Sequence, residues 1–392
     1  NISVKTRRTR SLIRKTRFMQ KLIENISQMP LFGVVITFLI GLFFMPLVIR
    51  VAKKYNFVVK PNKRTSHQGD IPNVGGLNIF ISFVIFFVIF FCIFEYYQIP
   101  NFYSLLMGFC AILLVGFIDD LIDLRASWKL LGEIIAGCFL IVLADVRITN
   151  MHGIFSIWEL SDAVSYFVSF FVYIAIINAL NLIDGVDGLA SGMGIIYACF
   201  FAIYFHLTGK IALSLLAYGL SGSLAVFFIY NVFGDSRRKI FMGDSGSLLL
   251  GFLISYLTFQ FLELNAYWPL DTPQIYHMKA APAVAICVLF VPLFDTVRVA
   301  VTRIKHGTSP FCPDKNHIHH LLLRIGLKHK QVTCVLMTVT IGFTLLGIAC
   351  RNWSSIWLMV LTCVIGFILI FILWRLVDKA NSESSNKNQI NN

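Results

Sequence analysis

Three aspartates, Asp119, Asp120 and Asp123, fall within five positions of VGFIDDLIDLRASWK, directly after the uncharged run 111–118. Carboxylates this close repel one another unless a cation or a ligand compensates them. Similar groups recur further on. NALNLIDGVDGLASG carries Asn178, Asn181, Asp184 and Asp187; GDSRRKIFMGDSGS carries Asp235 and Asp244; Asp295 precedes the polar stretch RIKHGTSPFCPDKNHIHHLLLRIG. Oxygen donors in this number, without clustered thiols, suit a hard cation. Magnesium is the natural choice and manganese an alternative, since Mg²⁺ is held by one or two carboxylates together with substrate phosphates. The turns GVDGLASG and MGDSGS set small residues beside acids, so backbone N–H groups can approach a diphosphate. Neither turn is a P-loop, because no Gly-Lys-Ser/Thr follows. Arg237, Arg238, Lys239, Arg303 and Lys315 add positive charge nearby.

Plainer readings stand beside these. Asp123 can pair with Arg125 or Lys129 at the surface, and Asp235 reads as a loop residue next to Arg237. Asn178 reads as a hydrogen-bond partner between helices. His317, His319 and His320, with Cys312 upstream, could be zinc ligands. However, adjacent His319 and His320 point to different sides of a helix and the cysteine is alone. Donation to phosphate or to a base therefore fits the histidines better.

The elements that must position these groups are membrane helices. Of 392 residues, 57% are hydrophobic and 14% charged, where a soluble domain carries about 25% charged residues. Apolar stretches long enough to cross a bilayer recur at 31–50, 76–97, 102–118, 128–145, 163–182, 189–207, 211–231, 245–262, 279–300, 331–350 and 354–375. The expectation is an all-α polytopic membrane protein with about eleven spans. Short alternating segments of the barrel type are absent. Beyond the first span, one side of this topology holds 21 Lys/Arg and the other 4. The positive-inside rule makes the rich side cytoplasmic. The acids singled out above all fall on that side, which argues for chemistry at the cytoplasmic interface. A transporter would place polar groups near mid-membrane, facing each other across repeats, and none are found. The net charge of +13 follows this topology, so no nucleic-acid partner is expected. Residues 1–30 form a basic tail that an eleven-span count puts on the wrong side; 31–375 form one membrane domain and 376–392 a polar tail. The nine cysteines are scattered and read as small apolar fillers.

DDLIDL, NLIDGVDGLASG, FMGDSGS and SPFCPDKNHIHHLLLRIG, in this order, resemble the polyprenyl-phosphate N-acetylhexosamine-1-phosphate transferase family, over about residues 31–375. The loop KPNKRTSHQGDIPNVGG fits as well. HIHH, rather than three consecutive histidines, resembles the WecA/TagO-like branch that handles GlcNAc-1-phosphate rather than a MurNAc-pentapeptide. The resemblance implies Mg²⁺-dependent transfer of a sugar phosphate from a UDP-N-acetylamino sugar to undecaprenyl phosphate at the cytoplasmic face of the bacterial inner membrane. UMP is released, and the product initiates a surface polysaccharide. It implies Asp244 as the principal metal ligand, Asp119 as the suggested base and Asp120 as a metal or substrate partner. Lys129 would reach the diphosphate. Asn181, Asp184 and Asp187 would form the nucleotide-sugar motif, and Arg303, His317, His319 and His320 would bind substrate. A homodimer is compatible with the sequence.

Overall fold

The computed structural model describes residues 31–59, 71–93, 101–235, 237–270, 272–308 and 316–390. Helices dominate because an apolar chain in a bilayer must pair its backbone N–H and C=O groups internally. In chain order they are α1 (Leu31–Lys54), α2 (Gly75–Ile93), α3 (Phe102–Ile122), α4 (Ala126–Gly137, continued by a wider π-turn over Cys138–Leu143), α5 (Asp162–Leu182) and α6 (Leu189–Leu207). They continue as α7 (Ile211–Phe233), α8 (Gly243–Ala266), α9 (Ala281–Val288), α10 (Phe290–Lys305), α11 (Ile318–Arg324), α12 (His329–Ala349) and α13 (Ser355–Ile390). Sheet among the described residues is confined to two short antiparallel ladders: β1 (Val58–Val59) with β2 (Ile71–Pro72), and β3 (Asn150–Ile154) with β4 (Ile157–Glu159).

Each apolar stretch of the sequence is helical over its described residues, but not every one is a simple span. Among the described residues, nine helices are long and apolar enough to cross a membrane. The second stretch, in α2, is shorter among the described residues, and the ninth is broken, with α9 and α10 bent by 81°. Pro292 explains the break. Its ring lacks an N–H and clashes with the carbonyl four residues back, which is Val288, the last residue of α9. Against the expected eleven or so, the described residues give nine spans, or ten with the bent pair counted as one. The last helix runs on past residue 375. Residues 1–30 lie outside the described part of the chain.

The centre of the bundle is α6, α7 and α8, whose apolar stretches are 72%, 72% and 83% buried, against 22–39% for the other spans. Small residues (LASGMG in α6, SGSLA in α7, GDSGSLLLG in α8) let these helices approach closely. Tyr197, Phe201, Phe205, Phe252 and Phe261 on these helices are buried; Phe201 packs against Phe261 across α6 and α8, and Phe252 against Phe109 and Tyr173 on α3 and α5. The outer helices instead expose Phe43, Phe167 and Phe367, as lipid-facing helices do.

One end of the bundle collects the polar groups. There α3, α5, α7 and α10 end and α4, α6, α8 and α12 begin. Gly116 on α3 lets the start of α8 come close: a Cβ there would lie 2.5 Å from Ser245 Cα.

Candidate active site

The site is built on the N-terminus of α8. Four backbone N–H groups at a helix start lack intrahelical partners, and no side chain local to α8 caps them. Asp120, in the last turn of α3, supplies the acceptor across the fold. Its Oδ1 takes the N–H of Asp244 at 2.8 Å, and its Oδ2 takes that of Ser245 at 3.0 Å. Asn73 Nδ2 donates to the same Oδ1 at 3.0 Å. The arrangement also places a negative charge at the positive end of the helix dipole. Gly243 is required, since its φ is +71° and a Cβ would lie 2.6 Å from Asp120 Oδ2.

Asp119, one residue earlier, is buried. Its Oδ1 accepts the N–H of Leu124 at 2.8 Å, which tightens the turn after α3. Its Oδ2 lies 2.9 Å from Lys129 Nζ. Lys129, in the first turn of α4, also reaches Asp244 Oδ1 at 2.6 Å and Asn181 Oδ1 at 3.3 Å. Asn181, in the last turn of α5, donates through Nδ2 to Asp244 Oδ1 and to Ser247 Oγ, the latter at 2.8 Å. One ammonium thus serves two carboxylates and an amide oxygen drawn from three different helices.

The loop 183–188 forms a second wall. Asn231, buried at the end of α7, accepts the N–H of Gly188 at 2.5 Å and donates to Ile240 O at 2.7 Å, tying this loop to the segment before α8. Asp187 Oδ2 pairs with Lys239 Nζ at 2.7 Å and lies 3.5 Å from His329 Nδ1. Burial disfavours its charge, but His329 and Lys239 outweigh that and hold its carboxyl below the usual range. Asp184 has no such partner among the described residues. Burial, and then the charges of Asp244, Asp120 and Asp187, push its carboxyl well above the usual range.

The histidine motif is organised by Asp295 on α10. Asp295 Oδ2 lies 3.0 Å from His317 Nδ1, and its oxygens accept the N–H of Ile318 at 3.1 and 3.2 Å. Arg298 donates to Asp295 Oδ1 at 2.7 Å and also to Asn316 O. His319 is buried with Nε2 against Gly185 of the 183–188 loop, 2.9 Å from where a Cβ would stand. Burial, then neighbouring His320, lowers its pKa to about 3, so this ring is neutral. His320 packs with its ring centroid 4.2 Å from that of His319. Arg303 is buried on α10, past Asp295.

The structure thus brings Asp119, Asp120, Lys129, Asn181 and Asp244 into one connected cluster, with Asp184, Asp187 and His319 around it. Asp123 does not pair with Arg125 or Lys129; it ends α3, exposed and left-handed at φ 51°. Lys129 is drawn away from it by Asp119 and Asp244. Asp235 is the expected loop residue, accepting the N–H groups of Arg237 and Arg238. Asn178 is the expected interhelical partner, donating to Glu133 Oε2 at 2.7 Å. Cys312 and Lys315 lie outside the described residues. Among those described, no three Asp, Glu, His or Cys side chains converge as a cation cage.

Asn73, Glu133, Asn231 and His329 went unnoticed in the sequence. Glu133 left a signal: it is the acid in the interior of the fourth apolar segment, four residues after Lys129. An acid there is costly and marks a functional candidate. Asn73, Asn231 and His329 left none, because a single amide or imidazole at a helix end is common.

Fold and site together define a polytopic α-helical membrane protein with a carboxylate–lysine site at one membrane edge. The glycosyl transferase family 4 pattern matches residues 102–261, the stretch from α3 into α8 that holds most of this cluster. The chain is 30% identical over 341 residues to the probable undecaprenyl-phosphate N-acetylglucosaminyl 1-phosphate transferase of Bacillus subtilis, covering 86% of this chain and 88% of that protein. It is 29% identical over 336 residues to the undecaprenyl-phosphate alpha-N-acetylglucosaminyl 1-phosphate transferase of Yersinia pestis, covering 85% and 88%. Its identity to the enzyme of the same name from Escherichia coli is 28%, covering 85% and 87%. The chain belongs to glycosyl transferase family 4, the polyprenyl-phosphate sugar-1-phosphate transferases that its motifs resemble.

Proposed function

We propose that this protein transfers N-acetylglucosamine-1-phosphate from UDP-GlcNAc to undecaprenyl phosphate, releasing UMP and leaving a lipid-linked diphosphate sugar. The observation that carries the reading is Lys129, held between Asp119, Asp244 and Asn181 at the membrane edge. A long isoprenoid reaches such a place through the bilayer and a nucleotide sugar reaches it from water. The Lys/Arg excess at this end supports a cytoplasmic face of the bacterial inner membrane.

In the reaction, an oxygen of the lipid phosphate attacks the sugar-bearing phosphorus of the donor. The bond from that phosphorus to the oxygen bridging to the nucleotide's phosphate breaks, and UMP leaves with the electron pair. A phosphate monoester has a second pKa of about 6 and is largely dianionic at pH 7, so no base is obligatory. Asp119, pinned by Leu124 N–H and Lys129, orients the incoming group. Lys129 turns its ammonium from the carboxylates to the diphosphate, because phosphoryl transfer depends mainly on positioning and charge neutralisation. His317, fixed by Asp295, and His319 face the departing nucleotide.

The donor set fits magnesium. Asp244 is partly exposed and its Oδ2 is uncommitted among the described residues, while Asp120 keeps a lone pair on Oδ2. Asp184 adds a carboxyl that no described cation partners. Asp244 and Asp120 would hold the metal, which supplies charge neutralisation for the diphosphate. One or two protein carboxylates are the usual number for Mg²⁺.

The test is purified protein with undecaprenyl phosphate and radiolabelled UDP-GlcNAc, with and without Mg²⁺. Mg²⁺-dependent label in the lipid phase with stoichiometric UMP is the expected result. Transfer only from another UDP-N-acetylamino sugar would keep the chemistry and replace the donor. Failure with all such donors, the protein being folded, would overturn the reading.

A further inference from the structure

Helices α4 and α5 are joined by two rungs. At the mouth of the site Lys129 meets Asn181; below it Glu133 Oε2 accepts from Asn178 Nδ2 at 2.7 Å. Lys129 and Glu133 are four residues apart on α4, and Asn178 and Asn181 three apart on α5. Both pairs therefore share a helix face. Asn178 also donates to Ile174 O at 3.1 Å, as a side chain locked in place would.

The lower rung leaves something over. Glu133 is 1% exposed, and its Oε1 is buried with no hydrogen-bond partner among the described residues. A purely structural rung needs one acceptor oxygen, which a glutamine supplies without a desolvated charge. A buried acid with a spare oxygen, one turn from the ammonium that serves Asp119 and Asp244, brings, when ionised, a further negative charge to a cluster with a single cation.

We propose that Glu133 is a positioning residue for this site, its charge holding the Lys129 ammonium inward and deepening the negative potential that a divalent cation meets beside Asp244. The inference rests on the reading of the site as one for a metal and a nucleotide diphosphate. In a site shielded from water, one charge within a few ångströms changes the affinity for another ion by several-fold. Removing the Glu133 charge then has two opposite effects. The cation is held less tightly. The anionic nucleotide is held more tightly, because Lys129 is freed from one competitor and the repulsion falls. Loss of packing would weaken both.

The experiment measures binding without turnover at pH 8, on full-length protein in detergent. Mn²⁺ binding is followed by its electron paramagnetic resonance signal, and UMP binding by calorimetry. Glu133→Gln, which keeps an acceptor for Asn178, is expected to weaken Mn²⁺ about threefold or more and to tighten UMP by about the same factor. Glu133→Asp, which keeps the charge, is expected to stay within about twofold of the parent for both ligands. Glu133→Met, apolar and of similar length, repeats the test if the glutamine variant does not fold. Unchanged affinities in Glu133→Gln, or weakening of both, would overturn the proposal. Parent protein that binds neither Mn²⁺ nor UMP would instead overturn the proposed function, so the two failures are distinguishable.

Discussion

The two ends of the helix bundle handle charge in opposite ways. At the end away from the site, Arg147 bridges Asp145 at 2.8 Å and Asp162 at 2.9 Å, with its guanidinium over the Tyr166 ring at 4.6 Å. Glu263 there accepts the N–H and the hydroxyl of Thr149 at 2.8 and 2.7 Å. These acids find donors, and several are well exposed, so water screens what remains. At the site end, Asp119 and Asp244 share one lysine, Glu133 keeps an oxygen without a partner among the described residues, and Asp184 faces three other carboxylates. Folding alone selects for pairing, because an uncompensated buried charge is expensive. A cluster that keeps its acids in excess is arranged for ligands that bring positive charge.

The contrast can be broken most directly at Asp244. Asp244→Asn keeps the shape and removes the charge; transfer should fall about 10³-fold, the scale of losing a key electrostatic group in a site shielded from water, with an unchanged melting temperature. Full activity would mean that the carboxylate excess serves no chemistry. Lys129→Met should cost about 100-fold in transfer. Lys129→Arg should not restore it, since a planar fork cannot replace a compact ammonium between two carboxylates. Asp120→Ala removes the cap of α8 and should lower both stability, by about 1–2 kcal/mol, and transfer, read by thermal unfolding and the label assay.

Asp184 sharpens the contrast in the other direction. Its folded carboxyl titrates above its unfolded value, so between those two values the folded state binds more protons and stability declines as pH rises. Asp184→Asn removes that decline. Its melting temperature should exceed that of the parent at pH 7, and the difference should shrink on acidification to about pH 4, while transfer falls. A melting temperature at or below the parent's would mean the carboxylate is compensated. The smallest effect is expected at the far end. Arg147→Ala should cost no more than about 1 kcal/mol, as exposed ion pairs do, and leave transfer unchanged.

Much of this was legible in the sequence. The apolar stretches fixed the helical class, because a bilayer admits few other solutions for the backbone. The acids gathered at segment ends pointed to the candidate site, because carboxylates are costly in lipid. Three features were not legible. The 81° break between α9 and α10 follows from Pro292, but composition alone counts that stretch as one span. Asp120 reads as a free carboxylate until α8 is seen to start against it. Glu133 reads as a stray acid until Asn178 is found across the helix pair. Sequence determines which groups are present and which elements carry them, since hydropathy and local spacing act along the chain. Which oxygen meets which N–H, and which lysine serves which acid, is decided by close packing between helices distant in sequence. Gly116 and Gly243 permit that packing, and only the folded chain shows what they bring together.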